Sequence, residues 1–303
     1  MSEEADELWR SFVESRLDEF DLEAERAAVA EAALENPRRL GVVDEVRTIA
    51  EVDVLVARPE AGARTDLVVV WIHGGAFTVM RADSYRALAG HLAGELGAEV
   101  YVPDFTLAPE AVFPQALDEL ERCIGEIVGD SADRAEVLVG DSAGAALTLG
   151  VMKRRRARNE AMPLLAALQC PWLDLSLQSP SLTRNAPLDA VLGAAPLADH
   201  VAWYLGADTG AEDPIASPLH GDLAGLGAIA IQAAEYDVLA DDALRFTRKA
   251  RDAGVAVDLE MAAEMPHGYQ FFVGMIPEAD GALAALARRI EQQLSARQVD
   301  STA

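Results

Sequence analysis

Lysine is almost missing from these 303 residues: only Lys153 and Lys249 occur, and every other cationic side chain is arginine. Lysine and arginine together number 25 against 51 aspartates and glutamates, a formal charge of −26. A field of that sign repels phosphate backbones and anionic lipid, so no nucleic acid and no membrane is expected as a partner. The amino-acid usage of a GC-rich genome is the bland account of the bias, and adaptation to high salt the sharper one. Long apolar runs are missing too: no stretch approaches the roughly 18 uninterrupted apolar residues that a membrane span needs. Cysteine is scarce. Cys123 and Cys170 lie far apart without metal-ligand spacing and read as a helix-face residue and a buried strand-end residue, not as a disulfide. The segment Met1 to Glu7 is acidic where a secretory leader is basic and then apolar, so a cytoplasmic location is expected. No G-x-G-x-x-G follows the first strand and no G-x-x-x-x-G-K-[ST] occurs, which removes the common nucleotide-binding signatures.

What is present is a 51% hydrophobic chain of a length suited to one large α/β domain over residues 1–303. Residues 1 to about 36 read as helix, with Leu8, Trp9, Phe12, Leu17, Phe20 and Leu22 at helical spacing and Asn36-Pro37 as the stop. Strands are expected at 42–46, 52–57, 67–72, 99–102, 135–139, 164–168, 228–234 and 255–261. Helices are expected at 84–96, 114–128, 240–252 and 278–297, the third capped by Asp241 or Asp242, and 299–303 as a frayed tail. Strands alternating with helices imply a mostly parallel sheet flanked by helices, with ligand chemistry at the C-terminal strand ends. The alternation breaks between Asp174 and Asp222, a proline-rich stretch of short apolar clusters that reads as a lid outside the sheet.

The organising stretch is Gly140-Asp141-Ser142-Ala143-Gly144, between an apolar strand and a helical pattern. A serine in G-x-S-x-G at a strand-to-helix turn is a nucleophile elbow, in which the glycines keep side chains out of a strained turn. His73-Gly74-Gly75-Ala76-Phe77 ends the buried run 67–72, where backbone N–H groups free of side-chain shielding suit an oxyanion site. A serine nucleophile needs a base, and the base needs a carboxylate. Of five histidines only His267 follows a sheet strand C-terminal to the serine, and Asp237 directly follows another.

These residues, with Asp104 to Glu110, Phe113-Pro114, Asp213-Pro214, Ala216 to Leu219, Asp237 to Asp242 and Pro266 to Tyr269, together resemble the hormone-sensitive-lipase-like carboxylesterases, the α/β-hydrolase fold-3 group, over roughly residues 40 to 290. The resemblance implies an α/β-hydrolase fold and a serine esterase with Ser142, Asp237 and His267 as triad. It implies an oxyanion hole from the N–H groups of Gly75, Ala76 and Ala143, with Gly74 shaping the turn, and a helical cap from about 1–38 and 176–212. Acyl transfer to water by such a triad requires no cofactor and no metal. Ala76 stands where that family has a third glycine, and Phe105-Thr106 where it has tyrosine and arginine. An apolar cleft from Trp9, Phe12, Phe77, Met80, Trp203 and Tyr204 would favour small to medium uncharged esters. A receptor or carrier that has lost catalysis, a lactonase and an amidase remain alternatives on the same fold, and a homodimer is left open.

Overall fold

The computed structural model describes residues 1–14, 21–129, 134–193 and 195–302; the expected helix positions Leu17 and Phe20 lie outside the described residues. Its sheet has strands β1 (Val42–Ile49), β2 (Val52–Pro59), β3 (Leu67–Ile72), β4 (Val100–Pro103), β5 (Ala135–Asp141), β6 (Leu165–Gln169), β7 (Ile229–Ala234) and β8 (Val257–Ala262). They lie in the order β1-β2-β4-β3-β5-β6-β7-β8. β2 runs antiparallel to both its neighbours, and all pairs from β4 to β8 are parallel. The helices are α1 (Glu3–Glu14), α2 (Leu22–Glu35), α3 (Arg86–Leu96), α4 (Gln115–Val128), α5 (Ala143–Ala157), α6 (Ser181–Arg184), α7 (Leu197–Leu205), α8 (Ala240–Asp252) and α9 (Pro277–Thr302).

The six apolar residues of β3 are all buried because both faces of the sheet are covered, as expected of a parallel strand. Val68, Val70 and Ile72 join a core shared with α4, α5 and α8, while Leu67, Val69 and Trp71 join one shared with α3 and α9. Parallel register carries the strand ends to one edge. Ile72 pairs with Gly140 and Asp141 with Gln169, so the loop at His73 lies beside the turn at Ser142.

Several boundaries differ from the sequence reading. The expected helix 84–96 opens with a 3₁₀ turn, Ala82–Tyr85, because Asp104 Oδ1 accepts the Ala82 N–H there. The final helix continues to Thr302 instead of fraying at 299, no glycine or proline following Gly281 to stop it. Neither Asp241 nor Asp242 caps α8: Leu239 is its N-cap residue without a side-chain bond, and both aspartates lie in the first turn. Asp242 is instead buried, where it accepts the N–H groups of Leu173 and Asp174 at 2.8 and 2.9 Å. Between β6 and β7 the chain leaves the sheet and forms α6 and α7. Asn36 closes α2, its amide donating to the Phe271 carbonyl at 3.0 Å. No helix among the described residues is long and apolar enough to cross a membrane.

Candidate active site

Ser142 occupies the turn from β5 into α5 with φ 51° and ψ −122°, a backbone conformation few non-glycine residues adopt. Close packing dictates the glycines around it. A Cβ on Gly144 would overlap the carbonyls of Ile72 and His73, and one on Gly140 would overlap Thr148 and the backbone of Gly144. The strained turn thus brings the β3 and β5 ends together and lifts the Ser142 side chain clear of both.

Ser142 Oγ lies 2.9 Å from His267 Nε2, and His267 Nδ1 lies 3.0 Å from Asp237 Oδ2. The second Asp237 oxygen accepts the Leu239 N–H at 2.7 Å. All three side chains are buried, Ser142 at 8%, His267 at 6% and Asp237 at 1% exposed. Because the carboxylate only accepts, Nδ1 carries the ring proton and Nε2 faces the serine as acceptor. Burial disfavours the imidazolium, but the charges of Asp237, Asp189 and Asp141 outweigh it and raise the His267 pKa above its ordinary 6.5.

The other four histidines are committed elsewhere. His73 stacks on Phe105 at 4.1 Å, faces the Gly74 carbonyl with Nδ1 at 3.0 Å, and is pushed by burial to a pKa of about 4. His91 contacts the Pro37 carbonyl, His200 the Thr78 hydroxyl, and His220 the Asp174 carboxylate. Phe105 therefore supports the His73 loop by stacking, while Thr106 bonds to Glu119 on α4.

Among the described residues no hydrogen bond uses the N–H of Gly75, Ala76 or Ala143. The Gly74 N–H differs: it donates to the Tyr85 hydroxyl at 2.8 Å, and a Cβ there would overlap Asp141, so Gly74 shapes the loop and has no free donor. Gly75 takes φ 95° with Met80 packed against it. Ala76 and Phe77 follow at φ 52° and 66°. Tyr85 also donates to Asp141 Oδ2 at 2.7 Å, and Trp71 Nε1 to Asp141 Oδ1 at 2.8 Å. In the sequence Tyr85 is simply one position of the expected helix 84–96, and Asp141 the variable residue of G-x-S-x-G. Their link, from elbow to donor loop, has no linear signature.

The apolar residues expected in the cleft have mixed surroundings. Phe77 and Tyr204 are buried and stacked at 3.8 Å, and Trp203 is half-buried, edge-on to His200. Trp9 and Phe12 pack edge-on to Phe272, which seats α1 beside the segment that carries His267. A separate groove of about 300 Å³ is lined by Leu177, Leu182, Leu192, Pro196 and Leu197 of the insertion and by Val238. Among the described residues one trio, Cys170, Asp237 and His267, brings donor atoms within 4.8 Å of one another. Asp237 and His267 are already joined by a hydrogen bond, and burial raises the Cys170 pKa, which disfavours a thiolate ligand.

A family model described as alpha/beta hydrolase fold matches residues 69–271. An esterase of Acinetobacter venetianus is 34% identical over 244 residues, covering 80% of each chain. An ethyl acetate hydrolase of Pseudomonas putida is 31% identical over 236 residues, 75% of this chain and 73% of that one. Among solved structures, an esterase from the bacterial hormone-sensitive lipase family superposes with a TM-score of 0.91 at 28% identity, covering 97% of this chain and 99% of the other.

Proposed function

This chain belongs to the α/β hydrolase fold family, and on that premise we propose that Ser142, His267 and Asp237 are the nucleophile, base and acid of a carboxylic ester hydrolase. The observation that carries the assignment is the continuous relay from Ser142 Oγ to His267 at 2.9 Å and from His267 to Asp237 at 3.0 Å, set at a strained strand-to-helix turn. His267 Nε2 takes the Ser142 proton as Oγ bonds to the ester carbonyl carbon. The carbonyl π electrons move to oxygen, and the N–H groups of Gly75, Ala76 and Ala143 receive the resulting oxyanion. Collapse breaks the bond to the alkoxide, which leaves as the alcohol with the proton His267 holds. Water then repeats the sequence on the acyl-enzyme, freeing the carboxylic acid and restoring Ser142.

The substrate class is short- to medium-chain uncharged esters. A net charge of −26 disfavours anionic substrates, and the small apolar groove beside Val238 suits an alkyl group of modest size. The name ethyl acetate hydrolase, carried by the Pseudomonas putida relative, agrees with that class. Helices α1 and α2 and the insertion between β6 and β7 form the cap. Two free, buried thiols, Cys123 and Cys170, support a reducing, cytoplasmic setting.

Replacing Ser142 with alanine is expected to lower kcat on p-nitrophenyl acetate by a factor on the order of 10⁴ to 10⁶ with the fold intact by circular dichroism. Retention of most of the activity would remove the assignment.

A further inference from the structure

Asp189 belongs to the insertion, 48 positions before Asp237 and 78 before His267 in the chain, yet it touches both loops. It is 1% exposed. Its Oδ1 accepts the N–H of Val191 at 2.9 Å, of Leu192 at 3.0 Å and of His267 itself at 3.3 Å. Its Oδ2 accepts the N–H of Val238, the residue after Asp237, at 2.9 Å. One turn earlier, the Asn185 amide donates to the carbonyls of Glu235 at 2.9 Å and Asp237 at 2.7 Å. The two side chains share a turn, since the Asp189 N–H donates to the Asn185 carbonyl.

We propose that the Asn185–Asp189 turn is a clamp that sets the distance between acid and base, and that Asp189 is its charged positioning residue, a second carboxylate serving the His267 imidazolium. The proposal rests on the triad reading above. Burial and the neighbouring Asp237 charge raise the Asp189 pKa above the ordinary carboxylate value, while the N–H groups it accepts and the facing His267 favour the ionised form. Asp189 therefore does two things at once. It fixes the backbone on which both triad members ride, and it adds negative charge that favours the protonated ring formed when Ser142 attacks. The groups facing that ring are Asp237 after β7, Asp189 from the insertion, Asp141 at the end of β5, the neutral Cys170 thiol after β6, and Ser142. Because the insertion also lines the apolar groove through Leu192, the clamp joins the segment to which the proposed function assigns the substrate's alkyl group to the catalytic pair.

The test compares wild type, Asp189→Asn and Asn185→Ala in kcat and KM on p-nitrophenyl acetate from about pH 5 to 9, with Ser142→Ala as control. Asp189→Asn removes the charge and turns an N–H group toward existing donors. Its kcat is expected to fall on the order of 10²-fold with KM little changed, and the acid limb of its kcat/KM profile to move to lower pH as His267 loses a neighbouring anion. Asn185→Ala leaves the charge, so its kcat falls while the acid limb stays. An acid limb in Asp189→Asn coincident with wild type overturns the proposal. If Asp189→Asn does not fold, Asn185→Ala decides it: wild-type kcat there overturns the clamp. An active Ser142→Ala protein would instead remove the triad reading beneath it, so the two failures are distinguishable.

Discussion

His267 is held between two opposed effects. Burial penalises its charged form, three nearby carboxylates favour that form, and the net result is a pKa raised above 6.5. The sign for activity follows directly: as the proposed base, His267 works as the neutral ring, so rate is lost as pH falls through its raised pKa. The acid limb of kcat/KM on p-nitrophenyl acetate is expected above pH 6.5, and a rate flat down to about pH 5 would mean that another group serves as base. Neighbouring residues store strain for the same site. Ser142, Ala76 and Phe77 all take positive φ, which costs on the order of 1 kcal/mol or more for each non-glycine residue and is sustained by the packing around them. Ala76 is the clearest instance. Where the resembling family has glycine, this chain keeps the amide of the proposed oxyanion hole and accepts the conformational strain of a Cβ at φ 52°.

Elements are tied together by a few long polar side chains. Arg26 of α2 donates to the carbonyls of Thr78 at 2.7 Å and Ala108 at 3.0 Å and pairs with Glu110 at 2.7 Å. It thereby anchors an N-terminal helix to the segment that follows the His73–Phe77 loop. Charged donors on backbone carbonyls contribute about 1.5–3 kcal/mol, so Arg26→Ala is expected to destabilise by about that much, read as a lower urea midpoint with faster proteolysis near residue 26. An unchanged midpoint would mean that α2 is held by other contacts. The basic run Lys153 to Arg158 is similarly internal in purpose. Arg154 pairs with Asp118 and Glu121, Arg155 with Glu136, and Arg158 with Glu121, while Lys153 donates to the carbonyls of Pro214 and Pro218. These bonds join α5 to α4, to β5 and to the return from the insertion. The elements themselves were legible in the sequence where burial leaves a period or an unbroken run, as in Leu67–Ile72 and Ala240–Asp252. The capping of α8 was not, because an aspartate at a helix start carries the same local signal whether it caps the helix or, like Asp242, accepts amides from a loop about 70 residues earlier.

At the scale of the molecule, parallel register turns sequence order into a site. Four strand ends, after β3, β5, β7 and β8, supply the donor loop, Ser142, Asp237 and His267 to one edge of the sheet. That much could be read from G-x-S-x-G, His-Gly-Gly and the order of serine, aspartate and histidine, because each motif is local and the topology brings them together. Asp189, Tyr85 and Asp141 could not be read in this way. Their partners are backbone amides or single atoms far along the chain, and no spacing rule encodes such contacts. The net charge of −26 and the apolar groove beside Val238 agree with the proposed uncharged substrate. The central claim, a serine made nucleophilic by His267 at the end of β5, is tested most directly by covalent labelling: a fluorophosphonate probe at neutral pH, followed by proteolysis and peptide mass spectrometry. The account predicts rapid, single-site modification of the peptide containing Ser142, lost in Ser142→Ala and slowed strongly in His267→Ala. No modification of Ser142 in folded wild-type protein, the behaviour of a carrier on this fold, would contradict it.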